Sequence, residues 1–209
     1  MKQYLSLGAI LFFLILGGCA TSGNIDRGYN LSSLNDKGLV LFTVTHDKEE
    51  GWFRNGSNIY SAVTFVNKTT SKKSQRAQSN DWGTLIMTSD IEGVWGRIYA
   101  WELDAGHYEL SEWYAAQNTG VGIRTVAPEL PLSHNSFEVL PGTVTYIGNI
   151  HGKLLWAKNT FGMDLLAGGI PLSGNEAKRD VALFLKNYPQ LSGKVDIKPL
   201  PPGPLLEDR

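Results

Sequence analysis

An antiparallel β-sandwich with one C-terminal helix packed on it is the architecture the sequence predicts, on three observations. Apolar, β-branched and aromatic residues gather in many short runs of strand length. Turn signals separate the runs at short intervals, drawing on 23 glycines and 9 prolines. A single stretch near the C-terminus repeats its apolar residues at helical spacing, so the several crossover helices of a parallel α/β fold are missing.

In chain order, Gly38 to Thr45 (GLVLFTVT) reads as a buried strand and Asp47 to Gly56 as a charged, glycine-bearing loop. Asn58 to Asn67 is the second strand, with Ile59, Val63 and Phe65 on one face and Tyr60, Ala62 and Val66 on the other. Lys68 to Asp81 carries four basic residues among Thr, Ser and Gln and reads as a mobile loop. Strands follow over Trp82 to Thr88, Val94 to Glu102 and His107 to Ala116, the last two separated by the turn Leu103-Asp104-Ala105-Gly106. After a Gly- and Pro-containing connection come Ser136 to Leu140, the turn Pro141-Gly142, Thr143 to His151 and a further extended segment, Leu154 to Leu166.

The helix is expected over 175–188. Asn175 suits an N-cap, Glu176 sits in the first turn, Val181, Phe184, Leu185 and Tyr188 form the apolar stripe, and Pro189 stops it. Beyond Gly193, the proline-rich segment 194–209 suits neither a ladder nor a helix and is expected to be extended and loose. The sandwich domain therefore spans 38–193.

The N-terminus is read separately. Met1-Lys2 precedes an apolar stretch, Leu5 to Leu16, which ends in Leu16-Gly17-Gly18-Cys19. That stretch is too short for a bilayer span, which takes about 20 apolar residues, and it suits the hydrophobic region of a secretory signal. The junction resembles the bacterial lipobox, Leu-(small)-(small)-Cys. The resemblance implies removal of 1–18 and a diacylglycerol on the Cys19 thiol. Cys19 is the only cysteine, so no internal disulfide can form, and acylation removes a free thiol from an oxidising compartment. Two or three acyl chains anchor firmly, at about 0.8 kcal/mol per buried methylene. Residues 19–37, polar from Thr21 onward, then read as a lipidated tether. Ala20, where enterobacterial sorting reads Asp as an inner-membrane signal, implies transfer to the outer membrane, on its periplasmic side.

About 190 residues remain after cleavage, enough for one domain. A formal net charge of -1 argues against a nucleic-acid surface. Two motifs carry a second resemblance: Leu103-Asp104-Ala105-Gly106-His107-Tyr108-Glu109-Leu110, and Phe137-Glu138-Val139-Leu140-Pro141-Gly142 continuing through Tyr146-Ile147-Gly148. They resemble those of uncharacterised bacterial outer-membrane lipoproteins and secreted domains with prealbumin-like or immunoglobulin-like sandwiches. There the first motif closes one hairpin and the second opens another. The likeness covers roughly Gly38 to Gly152 and implies a fold with no catalytic residues.

No chemistry-bearing motif emerges from the chain. His46, His107, His134 and His151 form no HxxxH pair, and no cysteine remains for a thiolate metal site, so neither metal nor cofactor is expected. Gly-x-Ser-x-Gly is absent, and Ser71-Lys72-Lys73-Ser74 places Ser where Ser-x-x-Lys needs Lys. Glu109 and Glu112, like Glu49 and Glu50, read as solvated carboxylates. Gly120-Val121-Gly122 and the glycine-rich 162–174 lack the strand-to-helix spacing of phosphate loops and read as flexible loops.

The aromatic run is more informative. Trp95, Tyr99 and Trp101 alternate on one strand face with Arg97 between them, and Trp113 and Tyr114 follow on the next strand. Core filling accounts for most of these residues, whereas a partly exposed platform for a glycan or a partner's strand would account for the arginine. The sequence thus points to a non-catalytic envelope lipoprotein that binds a protein or envelope polymer. The rivals are a dispersed enzymatic or metal site using His107, Glu109 and His151, and a lipoprotein facing outward.

Overall fold

The computed structural model describes residues 24–49, 58–80, 88–133 and 135–207. Cys19, the apolar stretch before it, most of the strand expected over Trp82 to Thr88, and His134 lie outside the described residues. The strands run β1 (Lys37–Asp47), β2 (Ile59–Asn67), β3 (Ala77–Gln78), β4 (Val94–Asp104), β5 (Gly106–Asn118), β6 (Ile123–Val126), β7 (Ser136–Val139), β8 (Val144–Lys158), β9 (Asp164–Gly174), β10 (Val195–Ile197) and β11 (Gly203–Pro204). One α-helix, α1 (Ala177–Asn187), precedes β10.

Two sheets form the sandwich, as the alternating pattern requires. The first has the order β11-β9-β8-β1-β4 with β10 beside β8, and the second the order β3-β2-β5-β6 with β7 beside β5. Pairing is mainly antiparallel, but β1 and β10 both run parallel to β8. Val40, Phe42 and Val44 face inward against Ile59, Val63 and Phe65, so the face assignment for β2 holds. Leu39 and Leu41 face outward under α1, where Phe184, Tyr188 and Leu191 close a second apolar cluster. The first sheet is covered on both faces, which is why β1 reads as a continuous apolar run.

The two glycine turns are corners between sheets instead of hairpin ends. β4 belongs to the first sheet and β5 to the second, while β7 belongs to the second and β8 to the first. Gly106 (φ +147°) makes the first corner, and a side chain there would meet the Asn67 amide at 2.8 Å. Tyr108 then turns inward, stacks on Phe137, and donates its hydroxyl proton to the carbonyl of Asp104 at 3.0 Å. That bond ties the corner to the core, as in the tyrosine corner of immunoglobulin-like sandwiches.

Three segments depart from expectation for one shared reason: tertiary contacts supply partners that local composition does not reveal. Residues 24–36 are no free tether. Ile25 N–H donates to Ala100 O at 3.0 Å, the Asn24 amide bridges Ile98 O and Ala100 N, and Leu34 is buried. The proline-rich C-terminal segment is extended but seated. Its non-proline N–H groups do the pairing, with Lys198 and Leu200 donating to Tyr146 O and Ile147 O, and Leu205 to Pro171 O, each at 2.9 Å. Leu200 and Leu205 are buried, and Pro204 occupies a sheet edge, where no donor is needed. The 68–76 loop is pinned to the second sheet by Lys68–Glu109 (2.7 Å) and Lys73–Glu112 (2.5 Å), and to the end of β4 in the first by Lys72–Asp104 (2.9 Å).

Of the glycines in 162–174, Gly168, Gly169 and Gly174 belong to a strand, and Gly162 lies in the turn before it. β9 pairs with β8 throughout, and Gly169 lies over the Trp113 indole, where an added Cβ would stand 2.3 Å from Cη2. Glycine in a strand marks such a close approach. Gly169→Ala is therefore expected to destabilise the domain by about 1–3 kcal/mol through overpacking. Trp113→Phe, which shortens the ring, should recover part of that loss. Urea unfolding of the two single variants and the double variant measures the coupling; additive losses would show that the indole is not what excludes the methyl.

Candidate functional site

The aromatic run does share one face of β4, as its alternation requires, but that face looks into the sandwich. Tyr99 and Trp101 are buried against Phe42, at ring separations of 5.2 and 4.9 Å. The Tyr99 hydroxyl donates to Gln78 O at 2.6 Å and accepts from Gln78 N–H at 2.7 Å, while burial pushes its pKa up to about 12. Trp95 and Arg97, nearer the end of the sandwich, are half-buried: Lys48 lies over the Trp95 ring and Arg97 pairs with Asp90 at 3.0 Å. Four residues expected to form an exposed platform are thus a core pair and a covered margin. The arginine is accommodated because a carboxylate meets it at the rim, not because the face is open.

A connected polar line runs on the opposite face of the same sheet, beneath α1. Asp180, fully buried in the first turn of the helix, accepts from Tyr146 OH (2.6 Å), Thr43 Oγ1 (2.8 Å) and Arg179 Nε (2.7 Å). Thr43 and Thr45 both reach Asn149 Oδ1, at 2.9 and 3.0 Å. Thr45 Oγ1 also contacts His151 Nδ1 at 2.9 Å, and the far ring nitrogen of His151 faces Asp47 at 3.4 Å. Burial, then the adjacent Asp180 charge, raise the Tyr146 pKa well above that of a free phenol. The line joins Thr43 and Thr45 of β1 to Tyr146, Asn149 and His151 of β8, across a register shift between Leu41 and Thr43, so the parallel β1–β8 pairing assembles it. A hydroxyl–imidazole–carboxylate order recurs in acyl-transfer enzymes, but here Thr45 is fully buried and spends its donor inside the line. What the line does is fasten α1 to the sheet.

His46 is buried on the inner face. Ser61 N–H donates to Ser79 Oγ at 2.8 Å, and Ser79 Oγ lies 2.7 Å from His46 Nδ1. Burial, reinforced by His151, lowers the His46 pKa to about 3. The unfolded chain binds this proton near pH 6.5 and the folded chain does not until about pH 3, so stability is full above pH 6.5 and falls as pH drops through that window. Between pH 7.5 and 5 the expected loss is about 2 kcal/mol. Urea unfolding of the native chain and of His46→Gln at both pH values tests this; an unchanged pH slope in the variant would count against His46 as its source.

The dispersed set His107, Glu109 and His151 is not brought together by hydrogen bonds or ion pairs. His107 is exposed on the second sheet beside Glu138 at 3.8 Å, and Glu109 on the same strand holds Lys68. His151 belongs to the first sheet. Among the described residues, no group of three or more His, Cys, Asp or Glu side chains is placed to hold a metal ion. None of the described helices is long and apolar enough to cross a membrane.

One surface feature was not legible in the sequence. The β5–β6 and β8–β9 hairpins lie side by side, joined by Gln117, which accepts from Leu166 N–H at 2.8 Å, and by Arg124, which donates to Leu166 O. Their ends carry Val121, Ile123 and Phe161 at 98%, 58% and 84% exposure. Nearby, Ala127, Leu130, Leu155, Gly168 and Ile170 line an apolar hollow of about 320 Å³. Val121 stands between two glycines and Phe161 beside one, so loop composition hid the apolar residues; their exposure follows from which strands the folded chain sets side by side.

No family model matches the chain, and no curated relative does. Among solved structures, a leucine-rich repeat protein from Bacteroides thetaiotaomicron VPI-5482 overlaps 56% of this chain at 19% identity and a TM-score of 0.30. This chain spans 14% of that one. So slight an overlap carries no argument about fold or activity.

Proposed function

We propose that the chain is a bacterial lipoprotein held in the outer membrane by a lipid on Cys19, facing the periplasm and serving as a non-catalytic binding module. The anchor rests on Leu16-Gly17-Gly18-Cys19 after an apolar stretch of signal length, and the outer-membrane address on Ala20. The binding part rests on one observation: Val121, Ile123 and Phe161 stand exposed together on two adjoining hairpin ends. Apolar side chains gathered at one place on a surface mark interaction sites, whereas scattered ones do not. The occupant is an envelope protein, whose apolar side chains would cover the three residues.

Two measurements test the reading. The intact mass of the membrane-extracted protein should show removal of 1–18 and addition of acyl chains, and Cys19→Ser should abolish both. Photocrosslinking from Phe161 in living cells should capture one discrete partner, and Val121→Ser with Ile123→Ser should remove that product. An unmodified mature chain would overturn the anchor. Crosslinks scattered over abundant proteins would overturn the binding surface.

A further inference from the structure

We infer that the face formed by α1 and β10 docks on an anionic phospholipid surface, so that the lipid-anchored domain lies on its membrane with the second sheet pointing away. The inference rests on the Cys19 anchor proposed above, and it adds an orientation and a lipid class.

Three observations point to this face. Reach is the first. Four residues separate Cys19 from Asn24, five Cα–Cα steps that span at most about 18 Å when fully extended. Asn24 is fixed at the β4 edge by its bonds to Ile98 O (3.0 Å) and Ala100 N (2.7 Å). The end of α1 is joined to this entry point, with Tyr188 OH donating to Ile25 O at 3.1 Å and Gln190 to Arg27 O at 2.9 Å. A short leash starting beside α1 keeps the membrane close to the α1 side. Phe161, by contrast, ends a hairpin whose strand β9 lies three positions from β4 in the sheet.

Charge is the second. Arg27, Lys178, Lys186 and Lys194 are exposed on this side, and none contacts a carboxylate among the described residues. The lysines of the 68–76 loop behave differently: Lys68, Lys72 and Lys73 each close on a carboxylate at 2.5–2.9 Å. Acids do lie on the α1 side, but Arg179 faces Glu176 (3.9 Å), Lys37 holds Glu102 (2.6 Å) and Arg97 holds Asp90 (3.0 Å), while Asp26 lies near the entry point. Unpaired cations beside a lipid anchor are attracted by anionic headgroups.

The third is an apolar contact. Ile197 is 53% exposed and shares its register position with Tyr146, which faces α1, while Val195, two residues earlier, packs into the α1 cluster. Ile197 therefore projects on the α1 side, beside the basic residues of the helix. An exposed apolar side chain next to a basic face fits the headgroup–acyl boundary.

The test uses the full-length acylated protein reconstituted in vesicles carrying headgroup quenchers. An environment-sensitive fluorophore is placed at Ala182→Cys, exposed between Lys178 and Lys186 on α1, or at Val121→Cys as the reference. In vesicles containing about one-third phosphatidylglycerol, the probe at 182 should be quenched about threefold more than the probe at 121. In about 0.5 M NaCl, or in phosphatidylcholine alone, that difference should largely vanish. Lys178→Glu, Lys186→Glu and Lys194→Glu together should abolish it with an unchanged circular dichroism spectrum. Equal quenching at both sites, stronger quenching at 121, or indifference to lipid charge would overturn the orientation. Failure of the anchor itself is read separately, from the mass of the same protein. If Cys19 carries no lipid, the unacylated chain must sediment with anionic vesicles through the same three lysines at low salt, and failure to do so overturns the docking face.

Discussion

Phe42→Ala is expected to lower the unfolding free energy by about 3–5 kcal/mol, the cost of an emptied aromatic site in a packed core. Phe42 is fully buried on the central part of β1 and touches rings from both sheets: Phe65 edge-on at 5.2 Å, Tyr99 stacked at 5.2 Å and Trp101 edge-on at 4.9 Å. Truncation removes ring area and three favourable aromatic geometries together, and β-sheet neighbours on two sides prevent the site from collapsing. Phe42→Leu, which keeps most of the volume, should cost less than half as much. Thermal unfolding followed by circular dichroism should place Phe42→Ala about 10 °C below the native chain for a domain of this size. A shift of only a degree or two would mean that the two sheets do not depend on this cluster.

Asp180→Ala is expected to cost about 3 kcal/mol, through the groups it abandons more than through the charge it removes. Tyr146 OH and Thr43 Oγ1 are buried and would lose their common acceptor, while Arg179 could still turn toward solvent. Asp180→Asn retains an acceptor oxygen and should cost about half as much. Tyr146→Phe removes one donor from the line. Its loss added to that of Asp180→Ala should exceed the loss measured in the double variant, because the two side chains share one bond. Strict additivity would disprove the shared network. Because the network also ties α1 to β1 and β8, Asp180→Ala should increase hydrogen exchange in 177–187 before it does so in the strands.

Particular residues show what could be read in advance. The strand over 38–45 was recoverable as a continuous apolar run, those over 58–67, 94–102 and 107–116 from their β-branched and aromatic residues between turn signals, and the helix because Val181, Phe184 and Tyr188 recur at its own period. The Asp180 network left a faint trace. A carboxylate four residues before Phe184 stands on the apolar stripe, and Thr43 and Thr45 continue the face occupied by Leu39 and Leu41. A polar residue at a core-facing position must find a partner, so these three could have been flagged, though not joined to one another. Nothing local identified Asn149 as the residue that Thr43 and Thr45 both contact, since they lie more than a hundred residues away along the chain.

The aromatic platform failed for a related reason. Alternation establishes that Trp95, Arg97, Tyr99 and Trp101 share a face; it cannot say whether that face looks inward or outward. The answer depends on which strands the chain places opposite, and here Phe42 and Phe65 occupy that side. Glycine misled in the same way at 162–174, where Gly169 signals an approaching indole from β5 and not a flexible loop.

By itself the sequence determined the fold class, the period and extent of most elements, and the one cysteine with its signal-like setting, because each follows from residues adjacent in the chain. The tertiary structure decided which face of β4 is core, that β8 runs parallel to β1, that the polar line beneath α1 closes on Asp180, and that the proline-rich C-terminus is seated. Each of those depends on contacts between residues far apart in sequence, whose free energy exists only once the chain has brought them together.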